Sequence, residues 1–339
     1  MRKLRPVAFA LVFIAILTYG LHAVRVNNNS APNFEVRQIL TSDPEIVVEI
    51  PIGATGSDIA TILFTSGVIK SSVAYFRLAV SDKRSQKVSP GGHRLTLKIA
   101  ASQALDQLLD SSRIPNLITV FEGEWNSEIV DSLRAFGFTR KQIADAFNNL
   151  VLPSGFATSE GLLFPALYNF PLKTSALDIV QAMINRFRAE KIGQEILNAS
   201  GKYSAPQLLT IASIVQAEGD AGDFTKVSRV IRNRLELGMP LQMDSTVHYI
   251  KGVRGQIFLS TSSTLIASAY NTYKHYGLPP TPIGNPGALA MQAALHPAVG
   301  DWLFFITVAP GDTRFTRSND QFVEWKFLYE KNRKAGAFK

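Results

Sequence analysis

The 339-residue sequence contains no cysteine. Disulfides, cysteine-bearing metal sites and a cysteine nucleophile are therefore excluded, while the compartment stays open. Ser-x-x-Lys and Gly-x-Ser-x-Gly are also absent, which argues against penicillin-binding, β-lactamase-type and nucleophile-elbow serine enzymes. The five histidines are scattered and none begins a His-Glu-x-x-His, so no zinc signature is present. Neither a P-loop nor a dinucleotide fingerprint occurs, and neither a cofactor nor a metal is expected. No tight Lys/Arg cluster with interleaved aromatics is found, which argues against nucleic acid as a partner.

What is present is a folded composition, 46% hydrophobic and 18% charged, long enough for about two to three domains. The formal charge is +8, yet Arg2, Lys3, Arg5 and Arg25 fall within the first thirty residues, where no acid occurs. The remainder carries a mild, dispersed excess that suits an anionic polymer or a membrane surface. Pro6 to Val24 contains no charged side chain, and such a run just spans a hydrocarbon core of about 30 Å as a helix. Three basic residues precede it and one follows, which predicts a cytoplasmic N-terminus with the bulk of the chain outside. A cleaved signal peptide is the alternative, but no small-x-small site follows the run. Asn27 to Pro32 reads as a polar linker.

An internal repeat follows. Gly53-x4-Asp58-Ile59-x3-Leu63-x3-Gly67 recurs seventy residues later as Gly123-x4-Glu128-Ile129-x3-Leu133-x3-Gly137. Each copy is preceded by a strand-like run (46–50 and 117–121) and carries apolar residues at helical spacing, closed by a glycine. Two related strand–turn–helix modules are expected. Further helices are predicted over about 100–109, 139–150 and 175–198. From Pro206 the pattern is helix, a second helix over Lys226 to Leu237, extended segments, a helix with Asn285 as N-cap, a buried strand over Trp302 to Val308, and a closing helix from Asn319. Helices mixed with non-alternating strands predict an α+β fold.

Leu208, Ile211, Val215 and Glu218 are spaced three, four and three, which places Glu218 on an apolar helix stripe near the C-terminal end. Burial and the negative end of the helix dipole both raise the pKa of such an acid. A carboxyl kept protonated near neutrality is what a general acid needs to protonate a glycosidic oxygen. The same residue also suits a plain helix end turned to solvent beside Gly219. Two polar clusters follow, Gln242, Asp244 and Thr246 in one, Asn271 and Tyr273 in the other, with the proline-rich Gly277 to Ile283 after them. Amides, hydroxyls and aromatic faces suit sugar binding, and equally suit ordering a turn or packing a core. His296, before Pro297, suits a helix cap better than a ligand.

These stretches together resemble the endolytic murein transglycosylase family (MltG, YceG-like). The matching segments are Leu209 to Glu218, Val230 to Leu235, Gly238 to Thr246, Tyr270 to Tyr273, Gly277 to Ile283, Asn285 to Gly287, and His296-Pro297, in order and spacing. The resemblance covers about residues 45–335. It implies a cytoplasmic stub (1–5), a transmembrane helix (6–24), a linker (25–44), a LysM-like module (45–115), a second related module with a helical connector (116–200) and an α+β catalytic domain (201–339). It maps the essential acid onto Glu218. Gln216 stands where the family often has a first glutamate. Ala166 and Leu167 stand where a family Asp-Thr pair follows Glu160-Gly161-Leu-Leu-Phe-Pro165.

The implied activity is that of a lyase at the cell membrane, cutting the β-1,4 bond between N-acetylmuramic acid and N-acetylglucosamine to leave 1,6-anhydro ends. Its partners would be peptidoglycan glycan strands, the membrane and a membrane-bound glycan polymerase. Gln242, Asp244, Thr246, Asn271 and Tyr273 are the expected glycan-binding residues. The rival readings are a two-carboxylate muramidase-type hydrolase, with Asp220, Asp223 or Asp244 as second acid, and a non-catalytic wall-binding protein.

Overall fold

A computed structural model describes residues 31–115, 117–171, 173–254 and 262–338. Two compact units emerge, one reaching Leu117 and adding Asn169–Lys173, the other comprising Ile118–Tyr168 and Thr174–Lys339. The apolar run Pro6 to Val24 lies outside the described residues. Among the described residues no helix is long and apolar enough to cross a membrane.

In the first unit β1 (Glu45–Ile50), α1 (Gly56–Thr65), α2 (Ser72–Ser81) and β2 (Gly91–Thr96) form a β-α-α-β module, with α3 (Ala101–Leu109) following. β1 and β2 are antiparallel, Ile46 facing Leu95. Its core gathers Val48, Ile50, Leu63, Leu95, Ile99 and Leu105, each buried side chain contributing about 1.5–3 kcal/mol.

The second unit opens with the same order: β3 (Ile118–Val120), α4 (Asn126–Phe136), α5 (Arg140–Asn148) and β4 (Ala166–Tyr168), again antiparallel, with Ile118 facing Tyr168. The seventy-residue offset is preserved in detail. Gly53 and Gly123 adopt φ of 79° and 80°, and Gly67 and Gly137 adopt 72° and 112°, backbone that a side chain strains. Asp58 accepts the Thr55 N–H at 2.8 Å, and Glu128 accepts the Trp125 N–H at 2.7 Å, each closing its helix's first turn.

The rest of the second unit is α6 (Ala176–Ala189), α7 (Lys191–Leu197), α8 (Ala205–Glu218), α9 (Phe224–Glu236), α10 (Asp244–Lys251), α11 (Ala288–Leu295), the hairpin β5 (Phe304–Ala309) and β6 (Asp312–Thr316), and α12 (Asn319–Lys334). The expected helix over 175–198 is broken at Glu190, whose backbone is extended. At Gly193 an added Cβ would lie 1.8 Å from the Phe187 carbonyl oxygen, so α7 turns back against the end of α6. The expected buried strand is instead a half-buried antiparallel hairpin, with α12 packed on β5.

Helix α8 is the centre of this unit. α7, α9, α10 and α11 all pack against it, and every residue from Leu208 to Val215 is buried. The predicted stripe is therefore a helix enclosed on all sides. Asn285 is not an N-cap, because α11 starts at Ala288 with Gly287 as its cap. The Asn285 side chain is instead fully buried and accepts the Leu163 N–H at 2.9 Å. It donates to the Glu124 carbonyl at 2.9 Å and to Asn126 Oδ1 at 3.1 Å.

Asn285→Ala should strand the buried Leu163 N–H and destabilise the second unit by about 2–3 kcal/mol. Hydrogen exchange should show lost protection over 123–126 and 160–165, with the first unit unchanged.

Candidate active site

Glu218 is the last residue of α8, capped by Gly219, whose N–H reaches the Val215 carbonyl. Its carboxyl meets the first turn of α10, where the Ser245 N–H donates to Oε1 at 3.0 Å. Two helix ends thus act on one carboxyl. The C-terminus of α8 opposes its anion and the N-terminus of α10 supports it. Burial is the largest influence and raises the pKa. Hydrogen bonding from Ser245 opposes the rise, Asp244 adds to it, and Arg234 subtracts. The net direction is upward. The residue as a whole is only half-buried.

The loop over 241–246 is held from two sides. Arg234, buried on α9, donates to the Leu241 carbonyl and, at 2.7 Å, to the Leu303 carbonyl. Its neighbours on α9 do similar work: Asn233 donates to the Gly300 and Trp302 carbonyls, and Arg229 to that of Ala298. On the other side the 270–273 motif is zipped to the loop. The Gln242 N–H donates to the Thr272 carbonyl at 3.1 Å, and the Met243 N–H to Thr272 Oγ1 at 2.9 Å. Thr246 Oγ1 bonds the Met243 carbonyl at 2.7 Å and Thr272 Oγ1 at 3.0 Å.

The five expected glycan-binding residues lie on these two paired segments, and of them Asp244 and Tyr273 come close enough to Glu218 to influence its charge or be influenced by it. Asn271 and Thr246 are fully buried. Asn271 donates to the Thr264 and Ile266 carbonyls at 3.0 and 2.8 Å and accepts the Tyr273 N–H at 3.0 Å. Tyr273 donates its hydroxyl to Asp244. Burial first, and Asp244 second, raise the phenol's pKa far above its ordinary range, so it stays a donor. Gln242 is exposed and adopts a φ of 50°, uncommon outside glycine. Asp220 is exposed, and Asp223 pairs with Lys226 at 3.3 Å. His296 is the C-cap of α11. Gln216 accepts the Gly287 N–H at 2.9 Å, a task that a neutral amide performs. Ala166 and Leu167 lie in β4, facing Val120 and Thr119.

Ser245 and Arg234 were not singled out from the sequence. Both lie within the quoted motifs, but only the fold shows which carboxyl and which carbonyls they meet. A group near a helix N-terminus, raised by burial yet hydrogen-bonded as an anion, can give and retake a proton.

Stability should carry the mark of this site. With the folded pKa above the unfolded one, the neutral carboxyl's stability is complete below the unfolded value, ordinarily 4.5. It is lost as pH rises through the folded value. Glu218→Gln should therefore gain stability over the native chain between acid and alkaline pH, checked by denaturant unfolding across pH. A pH-independent difference would contradict this.

A family model described as YceG-like matches residues 48–326. An endolytic murein transglycosylase of Bacillus subtilis (strain 168) is 31% identical over 317 residues, covering 86% of this chain and 88% of that protein. An endolytic murein transglycosylase of Streptococcus pneumoniae serotype 2 (strain D39 / NCTC 7466) is 26% identical over 297 residues, covering 77% of this chain and 54% of that protein. The crystal structure of a yceG-like protein from Listeria monocytogenes aligns with a TM-score of 0.53 at 27% identity, covering 84% of this chain and 99% of that one. With its matched segment running from β1 into α12 and including Glu218, the chain belongs to the YceG-like family.

Proposed function

We infer that the chain is a peptidoglycan lytic transglycosylase in which Glu218 is the single acid and base. The observation that carries this reading is the Glu218 carboxyl, raised by burial and met by the Ser245 N–H, in a chain whose relatives are named endolytic murein transglycosylases.

The reaction needs one carboxyl in two states. Protonated Glu218 gives its proton to the glycosidic oxygen as the bond from the muramic C1 breaks. The resulting carboxylate is supported by Ser245 and then takes the proton of the muramic O6 hydroxyl. O6 closes on C1, so water is not consumed and a 1,6-anhydro end results. Gln242, exposed in the loop, contacts the glycan directly. Asp244, Thr246, Asn271 and Tyr273 hold the loop geometry that Gln242 and Ser245 depend on.

Pro6 to Val24 anchors the chain in the cell membrane with its N-terminus in the cytoplasm, which places the reaction outside, near a membrane-bound glycan polymerase. Support comes from the uncharged run and its flanking basic residues. The two β-α-α-β modules are LysM-like, a reading supported by their shared order and seventy-residue offset.

Mass spectrometry of glycan strands treated with the full-length chain tests the chemistry. Anhydro-muramyl ends are expected from the native chain. Reducing ends would instead establish the two-carboxylate hydrolase, and binding without cleavage the wall-binding protein.

A further inference from the structure

Glu160 opens a motif that the reaction above does not use. It is a buried carboxyl, 7% exposed, in the segment before β4. Oε1 accepts the Asn126 N–H at 3.1 Å, at the first turn of α4, and Oε2 accepts the Tyr249 hydroxyl at 3.0 Å. Tyr249 lies on α10, four residues after Ser245, so the two share one helix face. One turn of α10 therefore meets Glu218 and the next meets Glu160.

The surroundings fix this link. Trp125 meets the Tyr249 ring edge-on at 5.7 Å, and Tyr270 packs 5.3 Å from it. Arg254, just past α10, lies 4.0 Å over Trp125 and pairs with Glu128 on α4. Both Glu160 oxygens are engaged by protein donors, which argues against a direct part in bond cleavage. The same engagement ties the second β-α-α-β module to the helix that grips the catalytic carboxyl.

We propose that Glu160 is a positioning residue for the Glu218 reaction, holding α10 through Tyr249 so that Ser245 meets the Glu218 carboxyl. The proposal rests on the reading of Glu218 as acid and base. The groups facing Glu160 are the Tyr249 phenol, Glu128 and Arg254. Burial, reinforced by Glu128, raises the Glu160 pKa to about 7, against the pull of Asn126, Tyr249 and Arg254. Its two partners are both donors, so the ionised carboxylate holds them best. The grip on α10 therefore tightens as pH rises through neutrality.

The test compares the full-length native chain with Glu160→Gln and Tyr249→Phe, counting new chain ends on purified glycan strands whatever their chemistry, with Glu218→Gln as control. Glu160→Gln should match the native kcat at about pH 5.5 and fall short about tenfold at about pH 8, with KM unchanged, the size of one hydrogen bond to a charged acceptor. Tyr249→Phe should reproduce the loss near the higher pH. A native kcat and pH profile in folded Glu160→Gln would overturn the proposal. So would an equal loss at every pH, or an effect on KM alone, which a merely structural role would give. Cleavage by the Glu218→Gln control would instead overturn the reading on which the proposal rests.

Discussion

The hydrogen bond from the Ser245 N–H to Glu218 is the contact on which the site depends. It joins the end of one helix to the start of another. α8 delivers a carboxyl at the end of an enclosed apolar helix, and α10 offers it an N-terminal N–H. Burial without that donor would leave the carboxylate unsupported, and the acid would hold its proton too tightly to give it up. The donor without burial would leave a carboxylate with no proton to give. Together they allow one group to work in both directions.

Much of the second unit serves to hold those two helix ends in place. Arg234 grips the Leu241 carbonyl, and Thr272 pins the Met243 N–H. Ser213 on α8 accepts the Ile283 N–H at 3.0 Å, fastening the proline-rich loop to the helix that carries Glu218. Gln216 holds the Gly287 N–H at the start of α11, and Asn285 locks the segment before it to Glu124, Asn126 and Leu163. These buried polar groups are satisfied by specific partners, and losing one partner leaves another stranded.

Local chemistry was legible in the sequence. The seventy-residue offset reads out as two β-α-α-β modules because capping and glycine backbone are decided within a few residues. The helix ending at Glu218 was equally plain, with Ser204 before it and Gly219 after. Its environment was not: spacing suggested one apolar face, while four helices enclose it. The break at Glu190 was hidden because Gly193 matters only through its approach to Phe187. Asn285 looked like a cap because Pro286 follows it, yet its partners lie more than a hundred residues away. Asn271 and Thr246 stood out in the sequence only as polar members of two clusters, and periodicity could not show that both are buried. Glu160 meets Tyr249 across 89 residues, and no local pattern announces such a pair.

The most direct measurement is titration of the Glu218 carboxyl itself, by carbon-13 NMR of the glutamate-labelled full-length chain, with Glu218→Gln identifying the resonance. A midpoint above the ordinary glutamate value of 4.5 is expected. A midpoint at or below that value would mean that hydrogen bonding from Ser245 outweighs burial, and would contradict Glu218 as the general acid.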